Sequence, residues 1–131
     1  MLHVKTELRA SSVEGIGLHA MEDIPKGALI WSFCELTSMC IPLDVWEKYK
    51  AEDSVGFWNV EKYGYLNRGV YVVNTDDSRH MNHSNDSNTF YDYEHNTVVA
   101  RRDIKAGEEL TGDYREFCEE DLSQYEYIDS R

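Results

Sequence analysis

Short apolar runs and brief polar/apolar alternations set the rhythm of this chain, and long helical periods are scarce. Residues 69–74 (GVYVVN), 89–93 and 97–101 carry the β-branched and aromatic side chains that fit a pleated, half-buried surface, so each predicts a strand. A helical period shows clearly once. After Pro42, the side chains of Val45, Trp46 and Tyr49 share a face, with Asp44 placed to cap the helix and Glu47 at the reciprocal capping-box position; the pattern fades near Glu52. Residues 75–88 hold Asp, Asn and Ser at most positions and predict irregular backbone, and a short helix is expected at 119–125.

One internal echo stands out. AMEDIPKGALI (20–30) and ARRDIKAGEEL (100–110) match at Ala, Asp, Ile and Gly, with Ile30 aligned to Leu110. Each predicts a strand end, a turn closed by glycine and a new strand, since glycine supplies the positive φ of such turns and Pro25 pre-sets the first. Two copies do not make a solenoid. The expectation is a mostly β domain of short strands with one or two short helices and no parallel α/β rhythm.

At 131 residues and 15.3 kDa the chain reads as a single domain, residues 1–131. Nine tyrosines and three tryptophans supply side chains with an apolar body and a polar tip, suited either to ordinary packing or to lining a narrow channel. The net charge of −12 (25 acids against 13 bases) makes nucleic acid and anionic membrane poor partners and favours a basic polypeptide. Residues 116–129 hold six acids and no base, a natural approach for such a peptide. Three cysteines (Cys34, Cys40, Cys118) without CxxC spacing argue against a disulfide scaffold or a zinc site and fit a reducing compartment. The opening MLHVKTELRA has no signal-peptide character and nothing reaches the length of a membrane span, so a soluble, intracellular (cytoplasmic or nuclear) protein is expected and the sequons at Asn82 and Asn85 should be silent.

Three segments could carry chemistry. Gly15-Ile16-Gly17 lets the backbone come close to a ligand, although a lone GxG is common in turns and no βαβ unit follows it. In RHMNHSNDSN (79–88), the carbonyl oxygen of Asn82 could receive an ammonium group and His83 offers backbone groups and a ring; an Asx-turn and a satisfied structural histidine are the plain alternatives. A metal site from Asp77, His80, His83 and Asp86 lacks regular ligand spacing, and no metal is expected. GEELTGDY (107–114) ends an apolar stretch on an acid and a tyrosine.

In this order, the three segments resemble the signatures of the SET domain, a family that transfers a methyl group from S-adenosylmethionine to protein lysines. The second is similar to the family's R-F-x-N-H-S-C-x-P-N, matching at Arg79, Asn82, His83, Ser84 and Asn88, with His80, Asn85 and Ser87 as departures. The third is similar to G-E-E-L-T-x-D-Y. The resemblance implies a SET (β-clip) fold of several small sheets whose C-terminal motif threads, knot-like, past the Asn-His-Ser segment. It makes Gly15, Ile16, Gly17, Arg79, Asn82 and His83 the cofactor contacts and Tyr114 the catalytic residue. Tyr71, Gly112 and Tyr65 would line the substrate channel, with Tyr63 and Trp58 as weaker channel candidates that read first as core. Gly112 stands where the family often has phenylalanine or tyrosine, and would leave room for more than one methyl group.

Many relatives close the channel with a cysteine-rich zinc segment that Cys118 alone cannot build. Closure is left to Phe117, Tyr125 or Tyr127, or to a second subunit in a homodimer; without flanking recognition domains the chain resembles the minimal free-standing SET proteins of viruses and bacteria. Two readings follow: an S-adenosylmethionine-dependent protein-lysine methyltransferase acting on a basic (histone-like or ribosomal) protein, or a SET-fold module that binds a basic peptide without methylating it. An acidic interaction protein of unrelated fold would require all three motifs to be coincidence.

Overall fold

The echo in the sequence is a two-fold relation in space. Ile24 and Ile104 pair antiparallel through reciprocal hydrogen bonds of 2.8 Å, N–H of each to C=O of the other. Around them the partners exchange roles: Gly27 N–H donates to Ala100 O and Gly107 N–H to Ala20 O, while Asp103 accepts from Lys26 N–H and Asp23 from Ala106 N–H. Gly27 (φ 86) and Gly107 (φ 94) occupy the left-handed conformation that closes each turn. Ala20, Ile24 and Ile30 meet Ala100, Ile104 and Leu110 in the main core, all 2% exposed or less, with Leu18, Trp31 and Tyr91. The repeat therefore supplies most of the central packing.

The computed structural model of the chain describes residues 1–124 and 128. Its strands form four small sheets. β1 (Thr6–Ala10) and β2 (Ile16–Ala20) make a hairpin, and β3 (Leu29–Ser32), β9 (Thr97–Ala100) and β8 (Thr89–Asp92) make a sheet in that order. β4 (Ser38–Ile41), β6 (Val70–Asn74) and β5 (Gly64–Asn67) make another, and β7 (Asn82–His83) pairs in parallel with β10 (Thr111–Gly112). The strands expected at 69–74, 89–93 and 97–101 are β6, β8 and β9, within a residue at each end. The β7–β10 pairing places the C-terminal motif beside the Asn-His-Ser segment, as the resemblance implies.

Between β4 and β5 lie two helices, α1 (Leu43–Glu52) and α2 (Val55–Glu61). The capping expectation for α1 is corrected. Its N-cap is Pro42, without a side-chain cap bond, and Asp44 sits inside the first turn, where it still opposes the positive end of the helix dipole. α2 went unseen in the pattern because it has only seven residues; Ser54 caps it, its Oγ accepting from Phe57 N–H at 3.2 Å. Trp46 of α1 stacks on Tyr71 (4.0 Å, 5°) and meets Phe57 edge-on (5.0 Å, 69°), which with Val73 forms a second core. The 75–88 run is not wholly irregular: it holds a 3-10 turn, Asp77–His80, before β7. The expected C-terminal helix is a 3-10 turn, Leu122–Gln124, and Tyr125 and Tyr127 lie outside the described residues. Among the described residues no helix is long and apolar enough to cross a membrane.

Candidate active site

The β1–β2 turn is organised by one hydroxyl. Ser11 Oγ accepts from the N–H groups of Val13 (2.8 Å) and Glu14 (3.2 Å), and Ser11 N–H donates to Gly15 O at 2.8 Å. Gly15 follows at φ 53, with no atom within 4 Å of where a Cβ would stand, so the loop is open on that side. Gly17 is the opposite case. A Cβ there would lie 2.7 Å from Glu109 Cδ and 2.8 Å from its Oε1, so the second glycine makes room for the Glu109 carboxylate.

From the parallel pair β7–β10 the chain turns into Tyr114. Ser84 N–H donates to Gly112 O (3.0 Å), Tyr114 N–H to His83 Nδ1 (3.0 Å), and the Tyr114 hydroxyl to Met81 O (2.9 Å). His83 is 1% exposed; its Nδ1 accepts, and its Nε2 faces Asn85 Oδ1 (3.0 Å) and Ile128 O (3.2 Å). Those partners specify the neutral ring protonated on Nε2. Burial pushes the neighbouring Asp113 carboxyl up, but hydrogen bonds from the Arg115 side chain and backbone, with its charge, win and hold it below the ordinary carboxylate value.

These pieces surround one cavity of about 870 Å³. Its polar wall carries Glu14, Gly15, Ile16, Arg79, Asn82 and His83; its aromatic wall carries Trp31, Tyr65, Tyr91, Tyr114 and Phe117. Phe117 is the hub of the second wall, edge-on to Tyr65 (5.0 Å), Tyr114 (5.5 Å) and Tyr91 (5.8 Å). Burial raises the Tyr65 phenol well above its ordinary value, against a donated hydrogen bond from Asn74, so it stays neutral. On the rim, the Arg79 guanidinium lies 4.6 Å over the Tyr63 ring, and His80 meets the same ring edge-on at 5.4 Å. His80 thus does the packing of the aromatic that the motif usually has there.

Gly15, Ile16, Arg79, Asn82, His83, Tyr65 and Tyr114 therefore converge, and three expected residues do not line the cavity. Gly17 faces Glu109 instead. Tyr71 is 6% exposed and stacked on Trp46; its phenol, pushed up to about 12 by burial and then by Glu120 and Glu47, reaches the cavity only through Glu120 Oε2 at 3.4 Å. Gly112 is absent from the lining, and Met81 Sδ, Phe117 Cε1 and Thr89 Oγ1 border its Cβ position at 3.4, 3.7 and 3.7 Å, within ordinary contact. Trp58 and Tyr63, the weaker channel candidates, line the cavity. Met81 and Tyr91 in the cavity wall, and Ser11 and Glu109 behind it, were missed as site residues, although Met81 and Glu109 lay within quoted motifs. Asp77, His80, His83 and Asp86 do not gather: among the described residues no group of three or more His, Cys, Asp or Glu is arranged to hold a metal.

No curated protein sequence matches the chain. Solved structures do. A chain of an active polycomb repressive complex 2 in its basal state is 28% identical, with a TM-score of 0.64 over 85% of this chain and 15% of that one. A humanized Chaetomium thermophilum polycomb repressive complex 2 is 26% identical, with a TM-score of 0.68 over 92% of this chain and 16% of that one. This chain thus spans about 15% of the length of those relatives. A Plasmodium falciparum protein provisionally assigned as a histone methyltransferase aligns over 84% of this chain and 92% of its own, with a TM-score of 0.55, and at 19% identity it speaks for the fold alone. The profile of the SET domain covers residues 15–115, from the first glycine of the loop to the residue after Tyr114. The chain belongs to the SET domain family.

Proposed function

We propose that the chain is an S-adenosylmethionine-dependent protein-lysine N-methyltransferase acting on a lysine in a basic, extended segment. The observation that carries this reading is the convergence of Gly15, Ile16, Asn82, His83 and Tyr114 on one cavity from segments far apart in sequence. The residues present fit the cofactor. The loop at Gly15 has no side chain to obstruct a ligand, and the amide nitrogen of Asn82 is engaged by Ser11, Glu14 and Ile16, leaving its oxygen for an amino acid's ammonium. Gly15, Ile16, Arg79, Asn82 and His83 would hold it. When bound, S-adenosylmethionine supplies a methyl group activated by a sulfonium centre.

The chain's own residues then orient and neutralise the acceptor. A lysine amine with a free pKa of about 10.4 is almost wholly protonated at neutral pH. The aromatic wall of Trp31, Tyr65, Tyr91 and Phe117 lowers that pKa by excluding water around the charge. Tyr114 donates its hydroxyl proton to Met81 O, and its oxygen keeps the capacity to accept an amine N–H. Accepting that proton fixes the direction of the nitrogen lone pair, and such positioning is the main demand of an in-line displacement. His83 holds Tyr114 through the backbone. Glu14, Glu61 and Glu120 along the cavity, within a chain of net charge −12, support a basic protein as the substrate.

The test is transfer of labelled methyl from S-adenosylmethionine to histones, ribosomal proteins and whole lysate. Label on lysine should fall by about 10²–10⁴-fold in Tyr114→Phe, with cofactor binding retained by calorimetry. Basic-peptide binding with neither cofactor affinity nor transfer would establish a non-catalytic binding module instead.

A further inference from the structure

Glu109 is a buried carboxylate that the proposed chemistry does not use. Its side chain is 10% exposed. Ser11 Oγ–H donates to both its oxygens (2.6 and 2.9 Å), Asn82 Nδ2 donates to Oε2 at 3.3 Å, and His19 Nε2 lies 3.8 Å from Oε1. On its remaining side it is pressed against Gly17, where a Cβ would be 2.7 Å away. The carboxylate thus ties together the β1–β2 turn, the second glycine of the loop and the Asn-His-Ser segment. These are the pieces that must agree for the polar wall to exist.

From this geometry we infer that Glu109 is a positioning residue that orients the Asn82 amide for an ammonium ligand. Asn82 Nδ2 is surrounded by four oxygens: Glu14 O (3.0 Å), Ser11 Oγ (3.1 Å), Ile16 O (3.3 Å) and Glu109 Oε2 (3.3 Å). The carbonyls and the carboxylate can only accept, so they select the amide orientation that turns nitrogen toward them. Ser11 could donate to a reversed amide, but its proton is drawn to Glu109, and Ser11 is thereby forced to accept from Asn82 as well. Glu109 acts twice, as an acceptor and as the group that commits the serine proton. Asn82 Oδ1 has no hydrogen-bond partner among the described residues and is the atom left for the cavity. The negative charge behind it adds attraction for a cation.

This inference rests on the cofactor reading of the cavity, and the experiment separates the two. Calorimetry on the full chain compares S-adenosylhomocysteine, which carries the α-ammonium, with 5′-methylthioadenosine, which lacks the amino-acid portion. In Glu109→Gln the first should bind about ten- to a hundredfold more weakly and the second within about twofold of wild type. An equal loss for both ligands, or no loss for either, would overturn the positioning role. If wild type binds neither compound, it is the cofactor reading that fails. Thermal melts check that the variant folds. Should Glu109→Gln not fold, Glu109→Asp, which keeps the charge but withdraws it by a methylene, must show the same ammonium-selective loss.

Discussion

The two walls of the cavity are built on opposite principles. On the polar wall, Ser11, Asn82 and Glu109 are locked to one another and to loop carbonyls by directional bonds, and a glycine makes room for the Glu109 carboxylate. On the aromatic wall, Tyr65, Tyr91 and Tyr114 meet Phe117 edge-to-face, an arrangement that fixes ring contacts while leaving an apolar surface. The first suits a ligand of fixed shape and charge that always binds the same way. The second suits a flexible alkyl chain whose amine must shed water and slide into line. A tight polar wall and an adaptable apolar one give a single cavity two kinds of recognition.

The largest break in that contrast should come from removing the hub. Phe117→Ala forfeits three edge-to-face contacts, a half-buried ring and the atom that fills the space beside Gly112. Loss of about 2–4 kcal/mol of stability is expected in urea denaturation. Binding of S-adenosylhomocysteine should stay within about twofold of wild type. A fall in cofactor affinity as large as that of Glu109→Gln would mean that the walls are not separate in function.

A smaller effect on the other wall sharpens the comparison. Gly17→Ala should weaken S-adenosylhomocysteine about tenfold, because the new Cβ must displace the Glu109 carboxylate from its partners. Its defining property is coupling. In the Glu109→Ala background the same substitution should have little further effect, and additive losses would show that Gly17 is demanded by something else.

How much of this was legible depended on whether a residue's role is set along the chain or across it. The echo was legible because Ala20, Ile24 and Gly27 repeat at Ala100, Ile104 and Gly107, and a shared pattern produces shared geometry. That Asn82, His83 and Tyr114 would lie together was legible because they sit in compact, ordered motifs. Tyr71 was misplaced for a physical reason. A strand's alternation puts Tyr71 and Val73 on one face of β6, but which face meets the cavity is decided by α1, whose Trp46 stacks on that tyrosine. Gly112 misled in the same way, since the residues that fill its space, Met81 and Phe117, come from segments on either side of it in the chain. At Gly17 the group that makes the close approach, the Glu109 carboxylate, is remote in sequence and left no local signal. Ser11 carried no signal beyond being a serine before a loop, and its importance lies in Glu109, 98 positions away.

The smallest expected effect lies at the rim, where His80 takes the place of an aromatic in the motif. Burial, then the charge of Arg79, lowers its pKa from 6.5, with Lys62 acting in the same direction and Asp77 opposing. The ring therefore packs against Tyr63 as a neutral group. In the unfolded chain the histidine takes up a proton as pH falls through about 6.5, whereas the folded protein resists it, so stability should decline on acidification from that point until the folded value is passed. His80→Phe keeps an edge-on ring and has nothing to titrate. Denaturation midpoints at about pH 7.5 and about pH 5.5 should therefore differ less in His80→Phe than in wild type, by a few tenths of a kcal/mol. The exposed His95, whose pKa is raised by its hydrogen bond to Asp92, acts with the opposite sign in both proteins and cancels from the comparison. An unchanged pH slope in the variant would show that the rim histidine is a passive spacer, and that only the two walls respond to charge.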